Sequence, residues 1–112
     1  MALAENQIQK EILQSLLRKG FFVWRQNQVH VKGRTFIGKK GLGDIIGVLP
    51  CGRFFSIEVK TATGKVSVDQ HKFIMDTRTN NGIAIVARSV SDVEKLNCSR
   101  SCSSVQNCTK YC

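Results

Sequence analysis

No stretch of the 112-residue chain is apolar for long enough to cross a bilayer, so no membrane association through a span is expected. The opening MALAENQIQK places polar residues where a secretory signal needs an apolar core. A cytoplasmic protein is therefore the expectation. Cysteine is nearly missing from the body. Cys51 stands alone, and Cys98, Cys102, Cys108 and Cys112 crowd into the last fifteen residues. A secreted disulfide scaffold spreads its cysteines through the fold, so that class is excluded too. Acids are also scarce: eight Asp and Glu against seventeen Lys and Arg give a formal net charge of +9. That imbalance favours a polyanionic partner such as nucleic acid or an acidic membrane surface.

What is present is ordinary for a globular protein. A hydrophobic content of 42% and a charged content of 22% suit one domain over 1–96, long enough to bury a core without metal or disulfides. A Cys- and Ser-rich tail over 97–112 follows. Its spacing, Cys98-x3-Cys102-x5-Cys108-x3-Cys112, allows either a Zn²⁺ site or a disordered extension with nothing to pack. The second reading is preferred, because CxxC knuckles are the commoner zinc form. His30 and His71 are too isolated in sequence to be assigned a role; His71, beside Gln70, reads as a surface residue.

Ile8, Ile12, Leu13, Leu16 and Leu17 recur at helical spacing between Ala4 and Lys19, and Gly20 after Arg18-Lys19 is a stop. Glu5 projects to the middle of that apolar stripe, while Glu11 projects nearly opposite, toward solvent. Two readings of Glu5 stand level on periodicity. One is an acid facing a partner or metal, the other a first-turn acid that suits the helix dipole. Phe21 to Val31 reads as a strand broken near Asn27. The following KGRTFIGKKGLG suits a cationic loop. Asp44 to Leu49 and Arg53 to Lys60 form a hairpin turned at Pro50-Cys51-Gly52. Ser67 to Gln70 is a capping box opening a helix that runs to Asn80-Asn81-Gly82. Ile83 to Ala87 is a wholly apolar strand, expected central in its sheet and parallel to a neighbour. Ser89 or Ser91 caps a last helix over Asp92 to Leu96. The expected fold class is α/β, a mixed β-sheet flanked by helices.

The chemistry gathers in the hairpin. Alternation puts Phe54, Ser56, Glu58 and Lys60 on one face of their strand and Phe55, Ile57 and Val59 on the other. Folding back over the three-residue turn sets Asp44 opposite Glu58. Two opposed carboxylates repel, and a hairpin built only for stability would not keep them. A hard divalent cation such as Mg²⁺ removes the conflict. Lys60 beside them can hold a water or a phosphate oxygen and stabilise charge developing on phosphorus. The competing reading is an exposed salt bridge of Lys60 with Asp44 or Glu58, worth little. Gly43 and Gly47 flank Asp44 and favour a close approach of backbone or ligand there.

The run G-L-G-D-I-I-G, nine residues, then I-E-V-K-T resembles the PD-(D/E)XK nucleases, and within them the virus-type replication-repair nuclease (VRR-NUC) group. The likeness spans Glu5 to Leu96 and implies an αβββαβ(α) restriction-endonuclease-like core. It implies Asp44 and Glu58 as metal-binding acids, the Val59 carbonyl as a further ligand and Lys60 as the catalytic lysine. Glu5 matches the family's helix acid, and Gln70 matches a glutamine near the lysine. For Gln70 the capping-box role competes, since one side chain is not expected to do both. Gly43 replaces the proline of the superfamily's name, and the tail has no counterpart. The family implies Mg²⁺, with Mn²⁺ as substitute, and products ending in 5′-phosphate and 3′-hydroxyl.

These readings lead to a metal-dependent DNA endonuclease, with Arg34, Lys39 and Lys40 contacting the DNA backbone. At this size one subunit offers little surface for a duplex. A homodimer presenting two sites to a branched DNA such as a Holliday junction is expected by family analogy. An exonuclease or nickase of the same fold, or a silent DNA-binding module, are the alternatives. The retained Asp44, Glu58 and Lys60 argue against the silent module.

Overall fold

The computed structural model describes residues 4–26 and 39–96. Arg34, His30 and the four tail cysteines lie outside the described residues. Helix α1 spans Glu5–Arg18, and strand β1 spans Phe22–Arg25. Strands β2 (Ile45–Val48) and β3 (Phe54–Val59) make the hairpin, and α2 (Val68–Thr79) leads to β4 (Ile83–Ala87). The strands lie in the order β1-β2-β3-β4, antiparallel except for the β3–β4 pair, which is parallel. This is the expected mixed sheet. Helix α1 packs on one face against β1 and β3, and α2 packs against β4.

Strand β3 organises the core. Phe55, Ile57 and Val59 are fully buried with Ile12, Leu16 and Ile45. Each such side chain contributes about 1.5–3 kcal/mol relative to exposure. The opposite face of β3 is closed as well, over Ser56 and Glu58. That double burial fixes the strand's register and so fixes where Glu58 stands.

Three expectations are corrected. Strand β4 is parallel to β3 as expected, but among the described strands it is an edge, not the centre. Its apolar run reflects contact with α2 and the segment that follows it, which cover the strand without a further neighbour. The last helix is a single 3₁₀ turn at Val90–Val93, capped by Ser89 with Asp92. Asp92 Oδ2 accepts from the amides of Arg88 and Ser89, so the carboxylate is spent on the turn's entry. The stripe on α1 is narrower than its sequence implies: Ile8, Gln9, Ile12 and Leu16 are buried, whereas Leu17 is exposed.

Gly47 marks where the layers press closest. A Cβ there would meet the Phe55 ring and the Phe22 carbonyl, and one on Gly43 would meet Ser56 Oγ. Both glycines therefore make room for neighbouring protein atoms, which the sequence reading left open between backbone and ligand.

Candidate active site

The hairpin register is the one its turn length dictates. Ile45 pairs with Ile57 and Ile46 with Ser56, so one further step sets Asp44 against Glu58. Asp44 sits just before β2, with its carbonyl accepting from the Gln26 amide at 2.8 Å. Its Oδ2 accepts from the Val59 amide at 2.8 Å, which pins the carboxylate across the end of β3. Glu58 is 4% exposed. Its Oε1 receives the Gln70 amide nitrogen at 2.7 Å and lies 3.6 Å from Lys60 Nζ. Its Oε2 is the one buried side-chain oxygen or nitrogen among the described residues that no donor outside the carboxyl pair reaches.

Burial is the main cause that pushes the Glu58 carboxyl up, to about 8. The Asp44 charge adds to this, Lys60 opposes it, and a hydrogen bond shared with Asp44 and the more distant charge of Glu5 raise it further. Without a cation, Glu58 thus keeps its proton near neutral pH. An exposed salt bridge would show neither the burial nor the orphaned oxygen, so that alternative does not describe this pair.

Gln70 forms the capping box and a bond to Glu58 with the same side chain. Its Oε1 accepts from the Ser67 amide at 2.9 Å, while the Ser67 hydroxyl accepts from the Gln70 amide at 3.1 Å, completing the capping box. The other end of the same side chain donates to Glu58. An amide carries an acceptor and a donor on separate atoms, and the α2 N-terminus lies where each finds its partner. Gln70→Ala should therefore lose two functions at once. We expect a fall in stability of about 1–3 kcal/mol by chemical denaturation, more than a cap alone explains. A loss confined to a few tenths would show that the bond to Glu58 carries no weight.

Glu5 opens α1 and is half-buried there, so it is a first-turn acid and also bears electrostatically on Glu58. Among the described residues no three of His, Cys, Asp and Glu are gathered closely enough to hold a metal by themselves. Asp44 and Glu58 are brought together; Glu5 acts on Glu58 only at longer range. Lys40 is exposed, as is Lys39, whose charge acts on Asp76 of α2.

One contributor carried no sequence signal strong enough to single it out. Arg88 donates from Nη1 to the carbonyls of Thr61 at 2.6 Å and Gly64 at 2.8 Å, closing the loop that follows Lys60. The Lys60 amide is itself tied to the Ala87 carbonyl at 3.0 Å. Those contacts span more than twenty residues of chain and leave no local pattern.

The residues present fit a divalent cation. Paired carboxylates and an unsatisfied buried oxygen are the donor set a hard cation takes up. Asp44, Glu58 and the Val59 carbonyl would hold it.

Comparison with solved structures finds the same architecture elsewhere. One described as "VRR_NUC domain protein" aligns with a TM-score of 0.64 and 19% identity, over 83% of this chain and 84% of its own. A second, described as "VRR_NUC domain", aligns with a TM-score of 0.60 and 25% identity, over 82% of this chain and 91% of its own. No protein-family model matches the sequence, and no curated protein does. No helix of the described residues is long and apolar enough to cross a membrane.

Proposed function

From the premise that this chain carries a VRR-NUC domain fold, we propose that it is a metal-dependent nuclease hydrolysing DNA phosphodiester bonds. The observation that carries the reading is Glu58 Oε2, buried beside the carboxyl of Asp44 and reached by no donor outside that pair. Protein designed for stability alone would have replaced or satisfied that oxygen. Bound there, Mg²⁺ or Mn²⁺ would polarise the scissile phosphate and make water more acidic.

The chain's own groups supply the rest. Asp44 and Glu58 set the negative pocket, and Gln70 and the Val59 amide hold the two carboxylates in fixed orientations. Lys60, on the same face, places an ammonium where charge grows on the phosphate oxygens. Its position is secured at the backbone by Ala87 and through the next loop by Arg88. Lys39 and Lys40, with Arg34, would contact the DNA backbone and contribute affinity without sequence preference.

Branched DNA is the proposed substrate, cut by a homodimer that offers two sites to one junction. Support for this comes from family analogy and from the net charge of +9, which suits a polyanionic partner. The test is cleavage of a labelled four-way junction in Mg²⁺, with duplex and single-strand controls. Cutting of the junction that stops in EDTA is expected. Equal activity in EDTA would overturn the metal mechanism, whereas cutting of every substrate except the junction would overturn only the branched target.

A further inference from the structure

Two large apolar side chains stand uncovered side by side on β1. Phe22 is 69% exposed and Trp24 is 39% exposed. Their ring centroids are 5.1 Å apart with planes inclined at 49°. Val23 between them is buried in the core with α1, so alternation sets Phe22 and Trp24 on the other face of the sheet. Asp44 and Glu58 occupy that same face.

Register gives the distance. Trp24 pairs with Ile46, which pairs with Ser56, and the next row outward on this face is Gln26, Asp44 and Glu58. Trp24 is thus one strand and two residues from Asp44, about 8 Å between their backbones. Two bonds link them through Gln26: Trp24 Nε1 donates to Gln26 Oε1 at 3.3 Å, and the Gln26 backbone amide donates to the Asp44 carbonyl at 2.8 Å. The indole is therefore held by its polar tip at the border of the acidic pair, with its ring toward solvent.

We infer that Phe22 and Trp24 form a stacking platform for unpaired bases of the DNA strand whose phosphate lies at Asp44 and Glu58. The inference rests on the nuclease reading and narrows its substrate to a single-stranded or locally opened segment beside the cut. Aromatic faces bind bases of any sequence when a cationic protein holds the backbone, and the net charge of +9 meets that condition. A base inside an intact duplex has both faces occupied by its neighbours, so only unstacked bases can use the platform. Continuity with the acidic site selects this occupant over a second copy of the chain, which would need no link to Asp44.

Trp24 is the chain's only tryptophan, so its fluorescence reports on the platform directly. The experiment titrates the full chain carrying Lys60→Ala, which blocks cutting, with an oligothymidylate and with a blunt hairpin duplex. Saturating quenching by the oligothymidylate, and little by the duplex, is expected. Phe22→Ala added to this protein should weaken the quenching affinity about tenfold, within the range that one stacked base contributes. In a parallel anisotropy titration with labelled oligothymidylate, Trp24→Ala should weaken binding similarly, and Trp24→Phe should recover most of it. Binding by anisotropy without quenching, at an affinity that Phe22→Ala and Trp24→Ala leave alone, overturns the platform. So does a dimer that Trp24→Ala dissociates while strand affinity holds. Failure of the wild type to cut any DNA in Mg²⁺ would instead remove the nuclease reading, and quenching by single strand would survive it.

Discussion

Replacing Glu58 by Gln should leave a protein that is inert and more stable. In EDTA at pH 8.5 or above, the variant is expected to melt on the order of 10 °C higher than the wild type. Metal-dependent cleavage should fall to background. The cause is the burial that raises the Glu58 carboxyl from 4.5 to about 8. Between those values the folded chain keeps a proton that the unfolded chain has lost. Wild-type stability must then fall as pH rises through that window and level off above it. A shift of that size bounds the cost at about 5 kcal/mol, and relaxation around the charge brings it to about 2–4 kcal/mol. The amide introduced by Glu58→Gln carries no charge at any pH, still accepts from Gln70, and can donate to Asp44. Below about pH 5 both proteins hold a neutral side chain there, and their melting temperatures should converge. Saturating Mg²⁺ should close the gap at high pH by stabilising the wild type alone. A variant that is less stable at pH 8.5 in EDTA would mean that the fold favours the ionised carboxylate without a cation.

Lys60→Ala should act on the reaction and little on the fold. We expect a loss of about 10²–10³ in kcat with KM nearly unchanged, the size found when one donor to a developing negative charge is removed. The ammonium stands 3.6 Å from Glu58 Oε1 and opposes the upward push on that carboxyl. Its removal should therefore also lower the apo protein's stability slightly at high pH. Lys60→Arg should recover little, because a planar fork replaces a compact point charge. Single-turnover kinetics on a junction or flap substrate separates these effects. A loss seen only in KM would assign Lys60 to DNA binding instead.

The hairpin was legible because its logic is local. A three-residue turn and strict alternation fix which residues oppose, and the observed register sets Asp44 against Glu58 as those rules require. The capping box at Ser67 was legible for the same reason. Gln70 shows where local logic stops. That its amide serves the helix with one atom and Glu58 with another follows only from where the α2 N-terminus lands over β3. Strand β4 misled because an all-apolar pentad reads alike whether strands or helices cover it. The 3₁₀ turn at Val90–Val93 kept its cap and lost its length. Arg88 could not be found at all, since its carbonyl partners lie 24 and 27 residues away. Glu5 was placed at the right end of α1, yet reaches the site through its field and not as a third member of a metal-sized cluster.

The central claim is that Asp44 and Glu58 exist as a pair to hold a divalent cation. Calorimetric titration of Mg²⁺ into the full-length protein at pH 7.5, repeated in buffers of different ionisation enthalpy, measures this most directly. One cation per chain should bind with release of a proton, because the proton that Glu58 keeps near neutral pH must leave as the cation enters. Glu58→Gln and Asp44→Asn should each abolish that binding. Binding of equal affinity in both variants, or binding by the wild type with no proton released, would contradict the assignment.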